Sequence, residues 1–183
     1  MPTYQDALRD ILRIPALETE SAGATRVVRC LFTPPFHPEC SLSIVETVTA
    51  IDVTVRAATR SVSQHSCAQH GWSSGGDPVR SWVEPAVSIE VIRGVEAPPR
   101  YQHAALAALD HVEVPHDGSI QLDGIILEVE LWSAGRTRTF TIRGTETAHA
   151  GYRVARTALD IALDVAQWDA SRAAIRNVLT YVR

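Results

Sequence analysis

The stretch from Ile125 to Arg143, IILEVELWSAGRTRTFTIR, decides how the rest of the chain is read. Ile125, Leu127, Val129 and Leu131 fall on one side, and Glu128 and Glu130 on the other. This is the period of two that a pleated strand imposes. Ala134-Gly135 then supplies a short turn into a second β-rich run, Thr137 to Arg143, which predicts a hairpin and hence antiparallel pairing. The same periodicity recurs upstream. Arg26 to Phe32 reads as a strand that Pro34, Pro35 and Pro38 cannot continue. Residues 41–47 and 50–58 are β-rich, with Ile51, Val53, Val55 and Ala57 alternating with Asp52, Thr54 and Arg56. Val87, Ile89 and Val91 resume the pattern, which ends near Arg93. Alternation of this kind predicts a sheet with one face in the core and the other wet.

Helical spacing appears at three places. Leu8, Ile11 and Leu12 mark a short amphipathic helix over residues 3–13, closed by Pro15 and expected to pack on the sheet edge. Pro98 and Pro99 open a helix through about His111, with Ala105, Leu106 and Leu109 as its apolar stripe. From Ala148 to Tyr181 there is no Pro and, after Gly151, no Gly; Ala155, Leu159, Ala162, Val165 and Ala166 mark one face. Asp169 or Ser171 is placed to cap a second helix there. The order predicts an α+β fold: a single domain, 1–183, built on a mainly antiparallel sheet of about five to six strands with helices packed on one face. Its parts are an N-terminal helix and linker (1–20), a long irregular loop (61–78) and a C-terminal helical segment (148–183).

Composition narrows the function classes. All 17 basic residues are Arg, Lys is absent and Asn177 is the only Asn. That bias fits a GC-rich bacterial genome, because Lys and Asn need A-rich codons; selection against accessible ammonium groups is the sharper alternative. Either way no Schiff-base or P-loop lysine is available. A net charge of -4 disfavours nucleic acid and anionic membranes as partners and suits a basic protein. The N-terminus lacks a basic region followed by an apolar run, so no secretory signal is expected, and no apolar stretch reaches membrane-spanning length. Three widely spaced cysteines, Cys30, Cys40 and Cys67, argue against a disulfide framework and for the cytoplasm.

Two groups of residues carry candidate chemistry. His37 and Cys40, with His65, Cys67 and His70, are donor types that Zn²⁺ uses, although the spacing is looser than in paired zinc ligands. The alternative is a polar, His-rich loop. Cys67 between two histidines also reads as a nucleophile with its base, but such partners are usually brought together by the fold rather than the sequence. Cys30, on a strand, reads as a small core residue. Glu128 and Glu130 lie roughly 7 Å apart along one strand face, a separation used by acid/base carboxylates, and Asp52 is placed to join them across the sheet. Alternating Glu is equally the mark of a solvated face, which would then offer a docking surface to a basic protein. Trp72 and Trp82 bracket Gly75-Gly76 in the long loop and are either binding anchors or buried beneath it. No G-x-S-x-G, G-x-G-x-x-G or Walker A pattern occurs.

Phe36-His37-Pro38 ahead of strands, Ala105 to Asp110 in a central helix, and Leu122-Asp123-Gly124 before Leu127-Glu128 resemble a group of uncharacterised bacterial α+β proteins. In that group a Phe-His pair leading into a strand, a Leu-Asp-Gly strand and a following strand and helix recur in this order. The resemblance covers residues 26–166; the aromatic residues usual after Leu-Asp-Gly and before the last helix are missing here, and the Cys/His loop is extra. It implies an α+β fold and carries over no activity or catalytic residue.

The leading expectation is therefore a non-catalytic, cytoplasmic protein-binding module, of immunity or antitoxin type, without a cofactor. Its rivals are a zinc-dependent enzyme or zinc-stabilised module using His37, Cys40, His65, Cys67 and His70, and a structural subunit of an oligomer, a homo-oligomer among them.

Overall fold

The computed structural model describes residues 4–35, 37–62, 85–95, 125–143 and 150–182. Ten elements lie within them: α1 (Tyr4–Ile11), α2 (Leu17–Ser21), β1 (Arg26–Thr33), β2 (Cys40–Glu46), β3 (Ile51–Ala58), β4 (Val87–Val95), β5 (Ile126–Ser133), β6 (Arg136–Arg143), α3 (Ala150–Val165) and α4 (Asp169–Leu179). The strands form one sheet in the order β4-β3-β2-β1-β5-β6, and every neighbouring pair is antiparallel. This is the α+β architecture expected from the alternation. The first four strands form a meander, and the β5–β6 hairpin attaches beside β1.

Strand parity sorts the side chains. Val28, Cys30 and Phe32 of β1, Leu42 and Ile44 of β2, Val53 and Val55 of β3, and Leu127, Val129 and Leu131 of β5 face one way and are buried. α3 and α4 cover this face with small and branched residues: Ala155, Ala158, Leu159 and Ala162 from α3, and Ile175 and Val178 from α4. Each fully buried large side chain contributes about 1.5–3 kcal/mol, so this layer supplies most of the stability. The α3–α4 junction is fixed from the sheet. The buried Glu90 carboxylate on β4 accepts hydrogen bonds from Gln167 N (2.7 Å) and Trp168 N (3.1 Å), and Arg172 donates back to the Leu163 and Ala166 carbonyls. α4 therefore starts without a side-chain cap of its own. A carboxylate from a strand does the work expected of Asp169 or Ser171.

The second face departs from expectation. It is not wet across its middle, and α1 does not sit at the sheet edge. α1 lies over this face, with Leu8 and Leu12 buried against Leu31, Ala58 and Val62 in a small second core. It stops four residues before Pro15, through Arg13 in a left-handed conformation (φ 53) with Arg13 N bonded to Asp10 O and Ile14 N to Arg9 O. That backbone pattern terminates a helix by satisfying its last carbonyls. The chain then turns into α2. The helix expected over 98–111, most of the 61–78 loop and the Leu122-Asp123-Gly124 segment lie outside the described residues.

Candidate functional site

The polar positions of the second face converge on one another. Arg29 of β1 stands opposite Ser43 of β2 and Glu130 of β5 in the two registers that flank β1. Its guanidinium is almost fully buried, with 5% of the side chain exposed. Every arm of it is engaged: Nε and Nη2 donate to Glu20 Oε2 at 3.2 and 2.8 Å, Nη1 to Glu130 Oε2 at 2.8 Å, and Nη2 also to the Pro15 carbonyl at 3.0 Å. Glu20, brought by α2, accepts a further bond from Ser43 Oγ at 2.8 Å and lies 3.6 Å from Arg56 Nη2 of β3. From α1, Arg9 Nη2 reaches Glu128 Oε2 (2.9 Å) and Glu130 Oε1 (3.1 Å). Three arginines and three glutamates thus tie α1 and α2 to the sheet.

Glu128 and Glu130 are consequently neither a solvated pair nor an open acidic face, since 12% and 16% of their side chains are exposed. Burial pushes the Glu128 carboxyl above its ordinary value; Arg9 pulls it back and the Glu130 charge adds to the rise. The Arg56 guanidinium is pushed down, chiefly by burial. Asp52 does not join the network. Its Oδ1 accepts a hydrogen bond from Gly94 N at 2.7 Å, where the β3–β4 register slips between Ile51 and Val53. No sequence signal ties Arg9 to this face, because partners more than a hundred residues apart leave no local period, and Glu20 lies in a segment too short to show one.

Beside the network lies a groove of about 580 Å³ between the α1–α2 connection and the β5–β6 hairpin. Asp6, Asp10 and Glu18 stand on its rim, exposed, with Arg9, Arg29 and Glu130 below and Thr137 from β6 opposite. Four carboxylates line it against two guanidiniums, and both guanidiniums already hold glutamates. A cationic side chain entering here would meet acid groups in excess. Among the described residues, the lining contains no Ser, Cys, Lys or His.

Of the zinc candidates, His37 and Cys40 lie among the described residues. Cys40 lies in the main core, 2% exposed, with its thiol pushed up to about 12 by burial and by the neighbouring Glu39 carboxylate. Cys30 is buried in the same core and its thiol is raised as well, as its reading as a core residue implies. His37 packs edge-on against the Tyr181 ring, centroids 5.8 Å apart. His65, Cys67 and His70 lie outside the described residues, as do Trp72 and Trp82. Among the described residues no group of three His, Cys, Asp or Glu is placed to hold a metal, and no helix is long and apolar enough to cross a membrane. No family model, curated protein or solved structure matches this chain.

Proposed function

We propose that the chain is a non-catalytic protein-binding module whose groove between α1–α2 and the β5–β6 hairpin takes a basic segment of a partner protein. One observation carries this reading: the groove lining has an excess of carboxylates while its arginines are already neutralised by Glu128, Glu130 and Glu20. Exposed acids steer a basic partner and set specificity more than they add raw affinity. The net charge of -4 acts in the same direction. A cytoplasmic, immunity-type role, in which the acidic groove blocks a basic surface of a toxin, is the specific form we favour. The zinc reading draws less support, because one of its five residues is a core thiol whose deprotonation burial opposes.

The test is a nuclear magnetic resonance titration with an arginine-rich peptide as probe and a glutamate-rich peptide as control. Shifts confined to residues 6–18, Glu130 and Thr137, weakening with added salt and lost in Asp10→Arg/Glu18→Arg, are expected. Equal shifts with both peptides, or an undiminished response in the reversed-charge variant, would remove the basis for the proposal.

A further inference from the structure

On the β3 side of Arg29, away from the groove, the sheet presents donors that outnumber the acceptors given to them. Arg29, Ser43, Arg56 and Ser41 come from three adjacent strands and share one face, Arg29 opposite Ser43 and Arg56 opposite Ser41. All four are buried. Glu20 is the carboxylate they hold, through two arms of Arg29, the Ser43 hydroxyl and the more distant Arg56. It leaves donors unused: Arg56 Nε and Ser41 Oγ are buried with no hydrogen-bond partner among the described residues. Buried donors left unpaired are costly, and two of them beside a carboxylate mark a site short of acceptors.

The element that supplies Glu20 is held to the sheet through that carboxylate and not by apolar packing. α2 is five residues long, has no fully buried residue and no side-chain cap. It hangs between Pro15 and Gly23, the latter at φ +77. Its neighbour α1 has its own apolar anchor in Leu8 and Leu12, so α2 can lift without α1 leaving. The geometry points to an oxyanion-binding site formed by Arg29, Arg56, Ser41 and Ser43, closed by α2 with the Glu20 carboxylate as an internal stand-in for a phosphoryl group. A phosphoryl group brings three acceptor oxygens and up to two charges, matching two guanidiniums and two hydroxyls better than a carboxylate does. This site does not depend on the groove binding a basic partner.

The probe is inorganic phosphate at constant ionic strength, with chloride as control. Wild type is expected to bind phosphate weakly, because only the fraction with α2 lifted is competent, and amide exchange at residues 17–23 is expected to rise as phosphate is added. Glu20→Ala vacates the site and is expected to bind at least roughly tenfold tighter by calorimetry, with its melting temperature raised saturably by phosphate and not by chloride. Adding Arg56→Ala is expected to abolish that gain. A folded Glu20→Ala that binds phosphate no better than wild type overturns the proposal. If Glu20→Ala does not fold, the titration is made on Glu20→Asp, whose shorter side chain holds the donors less well. Tighter binding than wild type supports the site, and unchanged binding with unchanged exchange at residues 17–23 overturns it.

Discussion

Replacing Glu20 by Met strands buried charge, and the cost follows from who else can serve each arginine. Arg29 keeps Glu130 at 2.8 Å and the Pro15 carbonyl at 3.0 Å. Arg56 keeps no carboxylate, since Glu20 is its one ion-pair partner among the described residues. Removing one member of a buried ion pair costs about 3–5 kcal/mol, most of it the penalty of the charge left behind. With a single arginine stranded, the lower end applies, about 3 kcal/mol. In urea a slope of about 2 kcal/mol per molar converts this into a midpoint lowered by about 1.5 M. The informative comparison is the triple variant Glu20→Met/Arg29→Met/Arg56→Met, which removes the charges together; well-packed apolar replacements of buried charged triads are often neutral or stabilising. Glu130 would still have Arg9. The triple variant is expected within about 1 kcal/mol of wild type, or above it. Urea unfolding followed by both circular dichroism and tryptophan fluorescence measures all three proteins and checks that the transition is two-state. A single variant that loses under about 1 kcal/mol would mean that water already reaches the network. A triple variant as unstable as the single one would trace the loss to packing rather than to stranded charge.

Two further outcomes are expected. The folded-state pKa of Glu128 is raised, chiefly by burial, so its contribution is fully present below the unfolded value and is lost as pH rises through the folded one. The stability difference between wild type and Glu128→Gln should therefore favour wild type most at acidic pH and shrink toward neutrality; unfolding in urea across a pH series reads it, and a difference that grows toward neutral pH contradicts the assignment. In the β5–β6 turn both Ala134 (φ 48) and Gly135 (φ 74) are left-handed, as a two-residue hairpin of this hand requires. Ala134→Gly is expected to stabilise by roughly 0.5–1 kcal/mol and Gly135→Ala to destabilise by about 1 kcal/mol, both measured by thermal unfolding.

The sheet was largely legible in the sequence because period-two alternation is a local signal: β1, β2, β3, β4 and the β5–β6 hairpin follow from Val27 to Phe32, Ile51 to Ala57 and Leu127 to Leu131. The C-terminal helices were legible for the same reason at helical period. What the second face does was not. Glu128 and Glu130 alternate with apolar residues in the same way whether they meet water or an arginine from a distant helix, so the pattern could not reveal Arg9. α2 was missed because LETES is too short to show a period. The start of α4 at Asp169 was legible, but its cap was not: Asp169 has the chemistry of a cap, whereas Glu90 from β4 occupies the role. For Glu128 and for the cap of α4 the deciding partner comes from far along the chain.

β1 lies in the middle of the sheet, with β2 joined to it by a short connection and β5 arriving late in the chain; Arg29 and Glu130, side by side, are 101 residues apart. The β1–β2–β3 meander can form from near neighbours, whereas closing so long a loop costs entropy before its contacts repay it. Until the hairpin docks, one side of β1 presents unpaired amides and carbonyls along an apolar strand, a surface to which another nascent chain can add. The speed of hairpin docking therefore sets the interval in which the protein is exposed to self-association, and yield on refolding should fall with protein concentration.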